Sequence, residues 1–237
     1  MIRAIATSLI ALAAFAASAQ TSPMRLKFLS AGAAQALVRS TAQTAGIAVE
    51  GSFGAVGAMQ DRVVGGEQSD VVILRRDQIE ALVAKGLVLA DSVTDLGVVP
   101  TSVAVRSADP LPAVNDEASL KAAILAADAI YFPDPAKATA GIHFNNVLVK
   151  LGIRDEVAPR FHTYPDGATS MKALAEARGH PIGCTQATEI RATPGVKVVA
   201  PLPKGFELVT TYTGAISANA TDRAAASRFL ASLASRL

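Results

Sequence analysis

The sequence predicts an α/β protein built from parallel sheets covered by helices. Three observations carry that prediction: short β-rich runs alternate with helical patterns, small residues mark the turns from strand to helix, and Val71 to Leu74 is an unbroken apolar run of strand length. Such alternation sets consecutive strands parallel and puts their connecting helices on the faces of the sheet. A strand apolar at every position is buried on both faces, as these sheets require.

The chain opens with Arg3 ahead of an apolar run from Ile5 to Ala17, then Ala17-Ser18-Ala19 and Gln20. A charged start, a short apolar core and an A-x-A site predict a secretory signal peptide over residues 1–19, cleaved after Ala19, and export to a periplasm. The run is shorter than the roughly 20 apolar residues a bilayer span needs. Cleavage leaves 218 of the 237 residues and lowers the formal charge from +2 to +1. That is chain enough for two lobes of about a hundred residues each. The charge is too small to draw in nucleic acid, so any preference for anions must be local. A lone cysteine, Cys184, excludes an internal disulfide, and packing alone must stabilise the fold.

Leu26 to Leu29 is a strand, followed by a helix whose Ala34, Leu37, Val38, Thr41 and Ala45 recur at helical spacing before Gly46. Ile47 to Val49 is a second strand, and the glycine-punctuated stretch Gly51 to Gly57 is a turn leading to a helix with Met59 and Val63. After the strand Val71–Leu74, a helix presents Ile79, Leu82 and Val83 and ends at Gly86. Val98, Val99, Val103 and Val105 form an extended stretch broken by Pro100, expected to cross between lobes. Helices near Ser119–Ala126, Ala140–Leu151 and Ala168–Arg178 then alternate with strands at Ala129–Phe132 and Pro181–Cys184. Val196–Val199 and Leu208–Ile216 are strands, and Asp222 caps a final helix to Leu233. This division predicts one lobe from 25–102 plus 207–237 and a second from 103–206.

In open α/β sheets, ligands bind beyond the carboxyl ends of strands, where helix N-termini present free N–H groups. Three turns here carry small residues that let a ligand approach the backbone: Ser30-Ala31-Gly32-Ala33, Ala55-Val56-Gly57-Ala58 and Thr139-Ala140-Gly141-Ile142. Together they predict an anion cradle.

Leu29-Ser30-Ala31-Gly32-Ala33, Ser52-Phe53-Gly54-Ala55-Val56-Gly57-Ala58, Ser69-Asp70-Val71-Val72-Ile73 and Lys85-Gly86-Leu87-Val88 follow one another in an order that resembles the periplasmic molybdate-binding protein family. Asp134-Pro135 and Ala140-Gly141-Ile142 continue the match in the second half. The resemblance implies a type II periplasmic binding protein fold: two α/β lobes joined by crossing strands, with a ligand cleft between them. It also implies a soluble receptor that delivers a small anion to an inner-membrane ABC transporter permease. The segment Gly183-Cys184-Thr185-Gln186-Ala187-Thr188-Glu189-Ile190, with Pro194-Gly195-Val196 and Pro201-Leu202-Pro203, is similar to a divergent branch of the family with varied ligands, and it also resembles periplasmic aconitate isomerase.

The departures from the molybdate pattern shape the ligand expectation. The second turn has Ala55-Val56 where that family places a hydroxyl, and Leu74-Arg75-Arg76 replaces a small residue and an acid. A guanidinium can take a carboxylate through two parallel charge-assisted hydrogen bonds. The expected ligand residues are therefore Ser30, Ala31, Gly32, Val56, Gly57, Arg75 or Arg76, Thr139, Ala140, Gly141 and Gln186, converging on an oxyanion or organic carboxylate. An isomerase acting on an unsaturated tricarboxylate is the alternative, and for it His143, Tyr164 and Glu189 are the candidate acid–base groups. His143, His162 and His180 have no metal-ligand spacing, and no cofactor-binding fingerprint is present. No metal, no cofactor and no nucleic-acid partner are expected, and the protein is expected to be a monomer.

Overall fold

The structure, a computed structural model, describes residues 24–234 and 236–237. The expected leader over residues 1–19 lies outside the described residues. Among them, no helix is long and apolar enough to cross a membrane.

The first lobe opens with β1 (Arg25–Ala31), α1 (Gln35–Ala45), β2 (Ala48–Gly54), α2 (Val56–Val64), β3 (Val71–Arg75) and α3 (Arg76–Ala84). β1 pairs in parallel with β2 on one side and β3 on the other. The long strand β4 (Thr94–Arg106) then leaves this lobe for the second. There follow α4 (Glu117–Ala126), β5 (Ile130–Pro133), α5 (Thr139–Lys150), α6 (Arg154–Val157), β6 (Phe161–Tyr164), α7 (Gly167–Glu176), β7 (Ile182–Gln186), α8 (Ala187–Ala192) and β8 (Val196–Pro201). β9 (Val209–Ile216) returns to the first lobe, where α9 (Arg223–Leu233) closes the chain.

The first ladder runs β2-β1-β3-β9-β4 and the second β4-β7-β5-β6, with β8 also paired to β4. β4 belongs to both because it changes partners midway. Residues Thr94 to Pro100 pair with β9, whereas Thr101 to Ala104 pair with β7. The returning chain passes beside the same point: Thr101 N–H donates to Leu208 O (2.8 Å), and Leu202 N–H donates to Thr101 O (3.1 Å). Two adjacent crossings therefore connect the lobes. Pro100 does not break the strand, contrary to expectation, because β4 is the outer strand of the first ladder there and a residue without an N–H is tolerated on an edge.

Both faces of each sheet are buried. In the first lobe, Leu26, Phe28 and Ile73 pack under α1 and α9, with the Phe28 ring edge-on to Phe229 at 5.5 Å. Leu29, Val72 and Leu74 pack on the other face with Met59, Ile79 and Leu82. In the second lobe, Ile130, Phe132, Phe144 and Leu148 form one layer, and Tyr131, Met171, Leu174 and Ile190 the other. Asp222 Oδ1 accepts the Ala225 N–H at 2.8 Å, the cap expected of α9, and Asp116 and Asp166 cap α4 and α7 in the same way.

The boundaries differ from expectation in two places. The stretch expected to turn at Gly51 instead continues β2 to Gly54, with Gly51 held at φ 103° inside the strand. Elements α6, β6 and α8 have no counterpart in the reading of the sequence. The helices span 4 and 6 residues, too few to establish a helical period, and β6 is a half-exposed edge strand of 4 residues.

Candidate functional site

The carboxyl ends of four strands meet between the lobes. Ala31, Gly32 and Ala33 follow β1; Gly54, Ala55 and Val56 join β2 to α2; Pro133, Ala138, Thr139 and Ala140 join β5 to α5; and Thr185, Gln186 and Glu189 surround the start of α8. With Gly167 at the start of α7 and Tyr212 on β9, these residues enclose a cavity of about 20 Å³, room for about one water. The N-termini of α2, α5 and α7 all border it, and each brings N–H groups without intrahelical partners.

Two polar atoms in this wall lack partners. Thr139 and Gln186 are 8% and 3% exposed, and neither Thr139 Oγ1 nor Gln186 Oε1 has a hydrogen bond, although Gln186 Nε2 reaches Thr210 Oγ1 at 3.4 Å. A buried polar atom left unpaired is costly. The Thr139 hydroxyl can donate to a guest, whereas the Gln186 oxygen can only accept from a guest that carries a hydrogen.

Glu189 supplies the acidic part of the wall. Its carboxylate Oε2 accepts from Thr185 Oγ1 at 2.6 Å, and a Cβ on Gly32 would lie 2.6 Å from Oε1. A Cβ on Gly167 would overlap Oε2, so two glycines make room for this carboxyl. Burial pushes its pKa up to about 7; the Thr185 hydroxyl opposes the rise, nearby Asp166 adds to it, and the Gln186 backbone N–H opposes it. Burial also holds the Tyr212 phenol well above its ordinary value, with Glu189 adding to the shift and Arg75 opposing it.

The lobes touch beside the cavity. Gly57 N–H donates to Lys137 O at 3.2 Å, and Lys137 Nζ reaches Asp61 Oδ2 at 3.2 Å. A Cβ on Gly57 would lie 2.9 Å from Lys137 O, so the absence of a side chain permits this approach.

Of the residues expected from the sequence, Ala31, Gly32, Val56, Thr139, Ala140, Gln186 and Glu189 come together at the cavity. Gly57 lies at the contact between the lobes, and Gly141 packs against the carbonyl oxygens of Pro133 and Asp134. Ser30 is fully buried with Oγ donating to Ala31 O at 3.1 Å, and it is not among the lining residues. Arg75, Arg76 and His143 line a separate, wider interlobe groove of about 600 Å³ that shares Thr139 with the cavity. In that groove Arg75 pairs with Asp77, Arg76 pairs with Glu80 and Asp95, and His143 Nε2 bonds Phe206 O at 2.7 Å. Tyr164 stacks on Tyr131 outside the cavity. Tyr212, Thr185 and Gly167 are lining residues that reading the sequence missed. They come from distant strands and a helix start, and no local motif signals that juxtaposition.

Comparison with known proteins agrees with this architecture. The sequence model for a family described as bacterial extracellular solute-binding proteins matches residues 26–236. An aconitate isomerase from a Pseudomonas species is 28% identical over 183 residues, covering 76% of this chain and 67% of the relative. The periplasmic molybdate-binding protein of Azotobacter vinelandii superposes with a TM-score of 0.69 at 21% identity, covering 88% of this chain and 92% of that one. A sulfate-binding protein of Mycobacterium tuberculosis superposes at 0.64 with 16% identity, covering 89% and 81%. At these identities the two solved structures establish the fold, a type II periplasmic binding protein with two α/β lobes and a cleft between them. The family match extends through almost every element described, and the chain belongs to the bacterial extracellular solute-binding proteins.

Proposed function

We propose that this protein is a periplasmic receptor that captures a small anion between its lobes and hands it to an ABC-type permease. The observation that carries the reading is the cavity itself, where the N-termini of α2, α5 and α7 border the buried, unpartnered hydroxyl of Thr139. N–H groups at a helix start favour negative charge, and a small cavity walled by buried residues strengthens that attraction. A guest larger than a water enters only as the lobes part, by rotation about the two crossings beside Thr101. The same reading keeps the lobe boundary at 102/103 and 206/207, close to the exchange of β9 for β7 between Pro100 and Thr101. Export after cleavage at Ala19 and a monomeric state belong to the same reading.

Two guest classes are consistent with the site. A compact oxyanion would occupy the cavity alone. An extended carboxylate would place one carboxyl group there and lay its remainder in the groove lined by Arg75 and Arg76, since Thr139 borders both. The two arginines are matched by Asp77, Glu80 and Asp95, so an extended ligand must compete with existing ion pairs. A thermal-shift screen of molybdate, sulfate, phosphate and small di- and tricarboxylates tests the reading. A true ligand at a hundred times its Kd adds about 2.7 kcal/mol to stability. Failure of every anion to shift the melting temperature would refute it.

An isomerase on the same scaffold is the second reading, favoured by the relative at 28% identity and by a Glu189 carboxyl that titrates near neutrality. A general base works best with a pKa near the working pH. Incubating the protein with trans-aconitate and following the cis isomer decides it, and absence of turnover leaves the receptor.

A further inference from the structure

We propose that Glu189 is a specificity-determining residue of this site, and that a bound anion shares one proton with its carboxyl group. The inference rests on the anion-receptor reading and states what the cavity demands of its guest. Its basis is a conflict in the wall: helix N-termini and the unpartnered Thr139 hydroxyl suit an anion, yet one side of the same small cavity is a carboxyl group. Two negative charges in contact in a space this small and buried require a proton between them.

The surroundings give Glu189 no other means of neutralisation. It is 7% exposed, and among the described residues it has no ion-pair partner. Thr185 and the Gln186 N–H bond its carboxyl from the end of β7, and Gly32 approaches from the turn after β1. From the start of α7, Asp166 adds a second negative charge, and from β9 the Tyr212 phenol stays neutral. Arg39 of α1 and Lys172 of α7 line an outer groove that Glu189 backs, outside the cavity. The raised carboxyl, at about 7, means that the proton is gained or lost within the ordinary working range of pH.

Proton balance follows directly. With a fully ionised guest, one proton enters from solvent onto Glu189 Oε1, the oxygen not bonded by Thr185, and is offered to an oxygen of the guest; on release it returns to solvent. With a guest that carries its own acidic hydrogen, that hydrogen is donated to the carboxylate and no net uptake occurs. The site therefore favours anions that accept or bring one hydrogen bond at this point. Above neutrality it discriminates against fully ionised ones.

Calorimetric titration of the mature protein with sulfate, molybdate and trans-aconitate, which keep constant charge from about pH 6.5 to 8.5, tests the inference, with inorganic phosphate as the guest that carries a hydrogen. For any fully ionised probe that binds, affinity should fall about tenfold per pH unit above pH 7. Near pH 8, repeating the titration in two buffers of different ionisation enthalpy should report uptake of one proton per ion bound. Phosphate should show less uptake, and Glu189→Gln should bind with affinity independent of pH and no uptake. The proton count on the unmodified protein decides the matter if the variant does not fold. Binding by the unmodified protein that is flat with pH and takes up no proton overturns the inference while leaving the receptor reading intact. So does an unchanged pH slope in Glu189→Gln. Absence of binding by every probe in both proteins overturns the receptor reading and this inference with it.

Discussion

Glu189 is the residue at which sequence, fold and chemistry meet, and it makes a stability prediction independent of any ligand. Its carboxyl is raised from 4.5 to about 7, so the folded protein holds a proton there that the unfolded chain releases. A raised carboxyl contributes stability that is fully present below pH 4.5 and is lost as pH rises through 7. The difference corresponds to ~3 kcal/mol at most. Denaturant unfolding at about pH 5 and pH 8 should therefore show the unmodified protein losing up to that amount relative to Glu189→Gln, whose amide does not titrate. Equal pH dependence in the two proteins would contradict the environment described for this carboxyl. Cys184 contrasts with it: also fully buried, with its thiol pushed far up by burial, it lies in the apolar layer with Val103 and Ile182.

At the scale of elements, the instructive case is β2. A run with glycine at 51, 54 and 57 has the composition of a loop, yet the chain stays extended as far as Gly54 because β1 supplies a parallel partner for the whole length, from Arg25–Ala48 to Ala31–Gly54. Gly51 sits opposite Phe28 at φ 103°, and a Cβ there would overlap the Phe28 carbonyl. Gly51→Ala meets both a disfavoured backbone and a collision with main chain, effects worth about 1–3 kcal/mol each. Loss of roughly that stability is expected in urea unfolding. Because β2 delivers Ala55 and Val56 to the cavity, ligand affinity should fall as well. A variant as stable as the parent would mean that the strand does not pass Phe28 as described.

At the scale of the whole molecule, function depends on how closely the lobes can approach. The cross-lobe ion pair between Lys137 and Asp61 is exposed at both ends, 55% and 69%, so it contributes little to closure. The backbone contact from Gly57 to Lys137 is different, since it requires a residue with no side chain. Gly57→Val should wedge the lobes apart while leaving both hydrophobic cores untouched. In small-angle scattering, the unmodified protein should contract on adding the best anion from the screen, and Gly57→Val should not. Affinity should drop by at least tenfold, with little change in unfolding free energy. Contraction of the variant to the same radius of gyration would show that closure does not use this contact.

The sequence by itself determined the α/β class, the continuous burial of Val71–Leu74, the Asp222 cap and the three small-residue turns, because each is set by neighbours a few positions apart. Local periodicity and local hydrogen bonding leave their record in short stretches of chain. Only the tertiary structure decided which side chains share a cavity. Arg75 and Arg76 looked like ligand groups in isolation, but folding adds the distant Asp95 to their near neighbours Asp77 and Glu80 and sets them in a groove apart from the cavity. Ser30 stands in the expected turn, yet its hydroxyl is satisfied by the Ala31 carbonyl. Glu189 acquires its character from burial, from Asp166 and from the room that Gly32 leaves, none of them adjacent to it in the chain. Burial and electrostatic surroundings are sums over such distant neighbours, so a residue's type can be read from the sequence while its charge state and partners depend on the packed fold.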